Sequence, residues 1–181
     1  MAQTRAALIQ FFSEYKSAYP EESVFPADFL KLLAAPTCYE RTHLPGHITG
    51  SAWIVTPERD YVLLVHHAKL NRWLQPGGHA DGDENVLHVA LREAEEETGL
   101  TNFKIISELP FDTDIHLIPE RKDFPAHHHY DVRFLIEASR KEKIVVSEES
   151  HDVKWIPLSE LEHYTTEQSV LRMKAKLLRA D

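Results

Sequence analysis

The sequence predicts a mixed β-sheet sandwiched between helices, an α/β (α+β) architecture, preceded by a helical N-terminal extension. Three observations carry that prediction. Apolar residues recur at helical spacing near both ends of the chain, short β-branched or apolar runs fill the middle, and these runs lack the regular helical alternation of a parallel βαβ sheet. The chain has 181 residues, 43% hydrophobic and 27% charged, which allows one domain with at most an appendage and a sizeable core.

Leu8, Phe11, Phe12, Tyr15, Ala18 and Tyr19 form an apolar stripe that predicts an amphipathic first helix, with Pro20 ending it. A second helix is expected over 23–35, carrying Phe29, Leu32 and Leu33 and stopped by Pro36. Residues 1–45 therefore read as the extension and 46–181 as the main domain. The stripe is too apolar to be left in water, so it packs on that domain or on a second copy in a homodimer. From Ile48 the pattern changes, and 51–55 and 61–65 read as paired strands joined by Thr56-Pro57-Glu58-Arg59-Asp60. The segment 76–82, PGGHADG, reads as a loop, 85–98 as a helix free of Pro and Gly, and Gly99 as its stop. Further strands are expected at 103–106, 111–118, 130–136, 144–146 and 153–156. A last helix over 167–179 carries Val170, Leu171, Met173, Leu177 and Leu178.

The formal charge of -9 opposes tight nucleic-acid binding, and a phosphorylated substrate would need cations to bridge it. The single cysteine, Cys38, excludes a disulfide scaffold and makes a reducing cytoplasm the expected compartment. No stretch approaches the roughly 20 apolar residues of a membrane span. The N-terminus is interrupted by Arg5, Glu14 and Lys16, unlike a signal peptide. No membrane partner is expected.

On the helix over 85–98, Glu93, Glu96 and Glu97 stand at i, i+3 and i+4, which stacks three carboxylates on one face. Leu87, Leu91, Ala94 and Thr98 gather on another face, available to a core. Such like charges repel unless the face is well solvated or cations neutralise it, and hard divalent ions favour oxygen ligands of this kind.

The segment over 78–100, GHADGDENVLHVALREAEEETGL, resembles the signature of the Nudix hydrolase family, with Gly78, Glu84, Arg92, Glu93, Glu96, Glu97 and Gly99 at its fixed positions. Ala94 stands where a larger aliphatic residue is usual. The resemblance implies a Nudix-type α/β/α sandwich. It also implies magnesium- or manganese-dependent cleavage of a pyrophosphate bond in a nucleoside diphosphate linked to another group. By position, Glu93 and Glu97 would be the principal metal ligands, Glu96 an additional one, the Gly78 carbonyl a backbone ligand, and Arg92 the residue that orients a box glutamate. Nudix enzymes often take one more carboxylate ahead of a late Trp-bearing strand; the counterparts here are Glu148 and Glu149, before Trp155, and Glu149 is the favoured one, either as a metal ligand or general base or as an exposed loop acid. Glu84 is either catalytic or an acid near the helix N-terminus. Two other activities fit the resemblance less well. An isopentenyl diphosphate isomerase is associated with a catalytic cysteine near the box, absent here, and a non-catalytic ligand sensor often lacks box glutamates, all present here.

The substrate is expected to be a small nucleotide-type molecule. Asp112, Asp114 and His116 alternate with apolar residues, as do His127, His129, Asp131 and Arg133. If 119–125 connects a hairpin, both polar faces point the same way, as a solvated face, a pocket wall or a second metal site. His116, His127, His129 and Asp131 are the candidate substrate contacts on that wall. Trp73, ahead of the loop, either stacks on a base or packs beneath the loop. Arg72 and Lys69 are candidate phosphate contacts. His66, His67 and His79 flank the box, whereas His43, His88, His151 and His163 read as surface or structural residues.

Overall fold

The computed structural model describes residues 4–122 and 124–179, so the chain ends and Asp123, inside the expected hairpin connection, lie outside the described residues. Thr4 caps α1 (Arg5–Glu14) by accepting from the Ala7 amide at 3.4 Å, and Tyr15 turns the chain into extended backbone. The first helix is therefore shorter than expected. Pro20 does not end it; Pro20 opens α2 (Pro20–Ser23), where its missing N–H is one of the unpaired amides of a first turn. A separate helix, α3 (Phe25–Leu33), follows in place of one continuous helix over 23–35. Leu8, Phe12 and Phe29 are fully or almost fully buried, with the Phe12 and Phe29 rings stacked at 4.2 Å.

The strands are β1 (Gly46–Val55), β2 (Tyr61–His67), β3 (Arg72–Leu74), β4 (Gly77–His79), β5 (Lys104–Ile105), β6 (Asp112–Ile118), β7 (His127–Glu137) and β8 (Ser150–Pro157). They form one mixed sheet. β1 and β7 run parallel over their whole length, from Gly46 beside His128 to Val55 beside Glu137. Every other pairing is antiparallel: β2 and β4 against β1, β5 and β6 against β7, and β3 and β8 against β2. Within 76–82, read as loop, three residues thus pair as a strand. The expected strand over 144–146 does not form. Its Val145 amide instead donates to the Thr98 carbonyl at 2.8 Å, and its side chain closes over Gly99, where any Cβ would lie 2.7 Å away.

Residues of opposite parity on the central strands feed two cores. Ile48, Ala52 and Ile54 face α1, α3 and α4 (Val86–Thr98), while Trp53 and Val55 join Val62, Leu64 and the α5 (Gln168–Arg179) residues Val170, Met173 and Leu177. Helices cover both faces. A short 3-10 turn, Leu158–His163, leads from β8 towards α5.

The same parity that buries Trp53 puts His47, Thr49 and Ser51 of β1 in line with His129, Asp131 and Arg133 of β7, and these with His116, Asp114 and Asp112 of β6. This is the polar face expected from the alternating strands, joined as a hairpin. It is not a solvated face. Asp112, Asp131 and Arg133 are almost completely buried, and α5 supplies Arg172 and Lys176 to neutralise Asp112 at 2.9 and 2.7 Å.

Candidate active site

The box helix α4 starts at Asn85, whose side chain accepts from the His88 amide at 3.3 Å, and stops at Gly99 in the left-handed conformation, φ 73°. These caps fix the helix register. Leu87, Ala94 and Thr98 are buried and Leu91 half-buried, so the acidic face turns to the rim where β4 pairs with β1.

Glu97 is buried, and its Oε2 accepts from the Gly77 amide at 3.2 Å. Burial, reinforced by the nearby Glu93 carboxylate, pushes its pKa up to about 8. Burial also raises Glu93, against the pull of Arg92. Arg92 Nη1 meets Glu93 at 2.9 Å, while its Nη2 donates to the His79 carbonyl at 2.9 Å, so one guanidinium ties the helix to β4 and holds Glu93 in place. Glu96 is more exposed and lies 3.5 Å from the same arginine. Gly78 leaves no room for a side chain, since a Cβ would sit 2.5 Å from the Glu93 carboxyl group. The helix thus approaches β4 as closely as glycine permits.

These groups open on a cavity of about 580 Å³. Gly78, Arg92, Glu93, Glu96 and Glu97 line it, Glu149 reaches it from the segment before β8, and His116, His127, His129 and Asp131 of β6 and β7 line it as well. The candidate acids and the candidate substrate wall therefore share one space. Lys69 lines it too, joined by Arg41 and Arg121.

Three candidates sit elsewhere. Trp73 pairs across from His66 and stacks on its ring at 4.9 Å, with Tyr164 edge-on at 5.7 Å, on the sheet face away from the cavity. Its packing role prevails, because its strand neighbour Leu74 takes the cavity side. Arg72 does not line the cavity and instead pairs with Glu167 at 2.9 Å. Glu84 is held by Arg5 of α1 at 2.8 Å, which ties the N-terminal helices to the box. Asp131 lines the cavity but is already engaged, accepting from Thr49 at 3.0 Å, Ser51 at 2.7 Å, Gln75 at 3.3 Å and Arg133 at 2.8 Å. It holds the wall together.

The sequence reading missed His47, Arg41, Thr49, Ser51 and Gln75, all on the cavity lining. A signal for His47 existed. It stands two and four residues before Thr49 and Ser51, and starting the strand at residue 51 hid that alternation. The His47, His79, His127 and His129 rings cluster with centroids about 5 Å apart, and burial lowers His79 to about 4 and His129 to about 2.

The model of the NUDIX domain matches residues 46–177. The chain belongs to the Nudix family. It is 28% identical over 102 residues to the rat protein named bis(5'-nucleosyl)-tetraphosphatase [asymmetrical], a match covering 56% of this chain and 66% of that one. A probable DHNTP pyrophosphohydrolase of Lactococcus lactis is 26% identical over 142 residues, covering 75% of this chain and 80% of its own. Among solved structures, a NUDIX family hydrolase from Clostridium perfringens superimposes with a TM-score of 0.59 at 24% identity, covering 75% of this chain and 98% of that chain. The Ap4A hydrolase of C. elegans does so at 0.56 and 20%, covering 74% and 97%. The mixed sheet between helices is the Nudix α/β/α sandwich, and the chain is a Nudix hydrolase, an enzyme class acting on pyrophosphate bonds.

Proposed function

We propose that this Nudix hydrolase cleaves a pyrophosphate bond in a nucleoside diphosphate linked to another group and that it requires magnesium or manganese. The observation that carries the reading is the pair Glu93 and Glu97, close to each other at the cavity, Glu97 buried and Glu93 half-buried, with both pKa values raised. Two such carboxylates are poorly stabilised as anions by the protein alone, and a hard divalent cation matches their oxygens. Glu93 and Glu97 would hold it, with Glu96, the Gly78 carbonyl and Glu149 as further ligands.

When bound, the ion supplies charge stabilisation for phosphoryl oxygens and lowers the pKa of a coordinated water. The chain's own residues do the rest. Arg92 fixes Glu93 against β4, and Glu149, the acid outside the helix on the same cavity, would accept a proton from the attacking water. Lys69, Arg41 and Arg121 offer charge to the remaining phosphates. His116, His127 and His129 face the group beyond the diphosphate. Both named relatives act on nucleotide-like polyphosphates by their names, which supports a small nucleotide-type substrate here.

The helices over 1–45 are proposed as an extension of a Nudix domain over 46–181, and their partly exposed stripe as a surface for a second copy. A cytoplasmic location is proposed from the free Cys38 thiol. Among the described residues no helix is long and apolar enough to cross a membrane.

The test is a panel of nucleoside triphosphates, dinucleoside polyphosphates and nucleotide sugars incubated with magnesium or manganese, with products separated by chromatography. Turnover that stops on chelation supports the reading. Turnover in excess chelator refutes the metal requirement, and tight binding without turnover makes the chain a ligand sensor.

A further inference from the structure

We propose that His47, His127 and His129 hold a second divalent cation of the zinc type, separate from the carboxylate site, with an open coordination position facing the cavity. Among the described residues these three are the group whose ligand atoms converge, all within 4.8 Å of one another. Their rings form a near-equilateral triangle, with centroid separations of 5.0, 5.0 and 5.2 Å.

The hydrogen bonds around them decide which nitrogens are free. His47 Nδ1 lies 3.2 Å from the His43 carbonyl, and His127 Nδ1 lies 2.9 Å from the Pro125 carbonyl. A carbonyl only accepts, so both Nδ1 atoms carry the proton and both Nε2 atoms present a lone pair. Metal-binding imidazoles are oriented by this kind of backbone bond. His47 Nε2 and His129 Nε2 are buried and have no hydrogen-bond partner. Leaving buried polar atoms unpaired costs about 1–3 kcal/mol each, so two such atoms in one cluster point to a ligand that pairs with both. His129, whose nitrogens have no carbonyl among the described residues to fix the proton, can take the tautomer that turns a third lone pair to the same point, and one cation would then pair with all three.

The donor set selects the ion. Three neutral imidazoles suit zinc, cobalt, nickel or copper and suit magnesium poorly. A tetrahedral zinc site places its nitrogens about 3.3 Å apart, so modest ring rotations would close this trio. Three protein ligands with one position open is the arrangement of a reactive or ligand-binding zinc site, not of a closed structural one. The open position faces the cavity that also holds Glu93 and Glu97. There an anionic oxygen of the bound molecule, phosphate or carboxylate, would complete the coordination.

Cobalt(II) is the probe, because a nitrogen-rich, low-coordinate site gives it strong visible absorption. The full chain, stripped by chelator, is titrated with cobalt in excess magnesium. One equivalent should bind with a visible spectrum that magnesium does not displace and that Glu97→Gln retains. His127→Asn and His47→Gln should each weaken cobalt binding by more than about a hundredfold, beyond the loss usual for an outer-shell change. A second measurement needs no variant: zinc added to the ¹⁵N-histidine-labelled protein should shift three Nε2 resonances together. The proposal is overturned if no such spectrum forms, if magnesium erases it, if Glu97→Gln abolishes it, or if the three resonances stay put. Magnesium-dependent hydrolysis by a protein that takes no cobalt would leave the proposed activity standing and this site refuted. Cobalt binding without hydrolysis would do the reverse.

Discussion

Lys176 is the point where α5, the sheet and the N-terminal helices are bound to one another by charge. Its Nζ lies 2.6 Å from Glu22 and 2.7 Å from Asp112, and both acids are fully buried. Lys176→Met keeps the packed stem and removes the cation. Asp112 would still have Arg172 at 2.9 Å and Arg133 at 3.1 Å. Glu22 would keep only neutral donors, the Tyr15 hydroxyl at 2.9 Å, the Thr113 amide at 3.0 Å and hydroxyl at 3.2 Å, and Ser17. Breaking one side of a buried pair costs about 3–5 kcal/mol, and these remaining donors put the expected loss at the lower end, about 3 kcal/mol. For a chain of this size that is a fall in Tm of roughly 6–12 °C. Glu22→Gln should cost less, because Lys176 retains Asp112. The double variant should then be more stable than the sum of the single losses by at least about 2 kcal/mol. Thermal and urea melts of the four proteins measure this directly. A Lys176→Met protein melting within about 2 °C of the parent, or strictly additive losses, would refute the argument that Glu22 depends on this cation.

Glu97→Gln should lower turnover by more than about a hundredfold, since it removes a proposed metal ligand, while the far-UV spectrum stays native. In the metal-free protein the same variant should be more stable than the parent near pH 8. An acid whose folded pKa is raised from 4.5 to about 8 weakens the fold as pH rises through that window, so the gap should close as pH falls to about 4.5. A gap independent of pH would contradict it. Gly78→Ala should reduce turnover far more than Tm by displacing Glu93, and equal turnover would show that the close approach is dispensable. Burial opposes ionisation of Asp112 and Asp114, yet both are held below the ordinary 3.8, Asp112 by Arg172, Arg133 and Lys176 and Asp114 by Arg133, His116 and Arg172. Their contribution is present above that value and lost as pH falls below it, so Asp114→Asn should flatten the acid limb of a stability-against-pH curve.

The helix over 85–98 was legible to within a residue because its pattern, its Asn cap and its Gly stop all agree. The seven box residues were legible through their resemblance to a family signature, because the glutamate spacing by itself also fits a solvated helix face. What escaped reading did so for physical reasons. β3 and β4 are three residues each, too short for any periodicity, and β4 is glycine-rich because α4 must come close. Val145 and Val146 have strand propensity, but they stay exposed and pair with no strand among the described residues. Glu22, at a helix start, has no sequence mark that separates it from a solvated acid, yet partners up to 154 positions away bury it completely. For the same reason the alternating strands β6 and β7 could not say whether water or α5 covers them. Alternation reports two unlike faces and leaves unsaid what lies against each.

The parallel register of β1 and β7 governs how this chain must come into being. Thr49 and Asp131, hydrogen-bonded across the middle of the sheet, are 82 positions apart. At about 5–20 residues per second, β1 leaves the ribosome several seconds before its central partner exists. Throughout that interval its apolar residues Ile48, Trp53, Ile54 and Val55 depend on temporary company. Antiparallel β2 adjoins β1 only at Ile54 and Val55, and the β4 contacts begin at Gly77. The nascent chain is therefore most exposed to misassociation between the emergence of β1 and that of β7, and a chaperone that recognises extended apolar segments would find its target there.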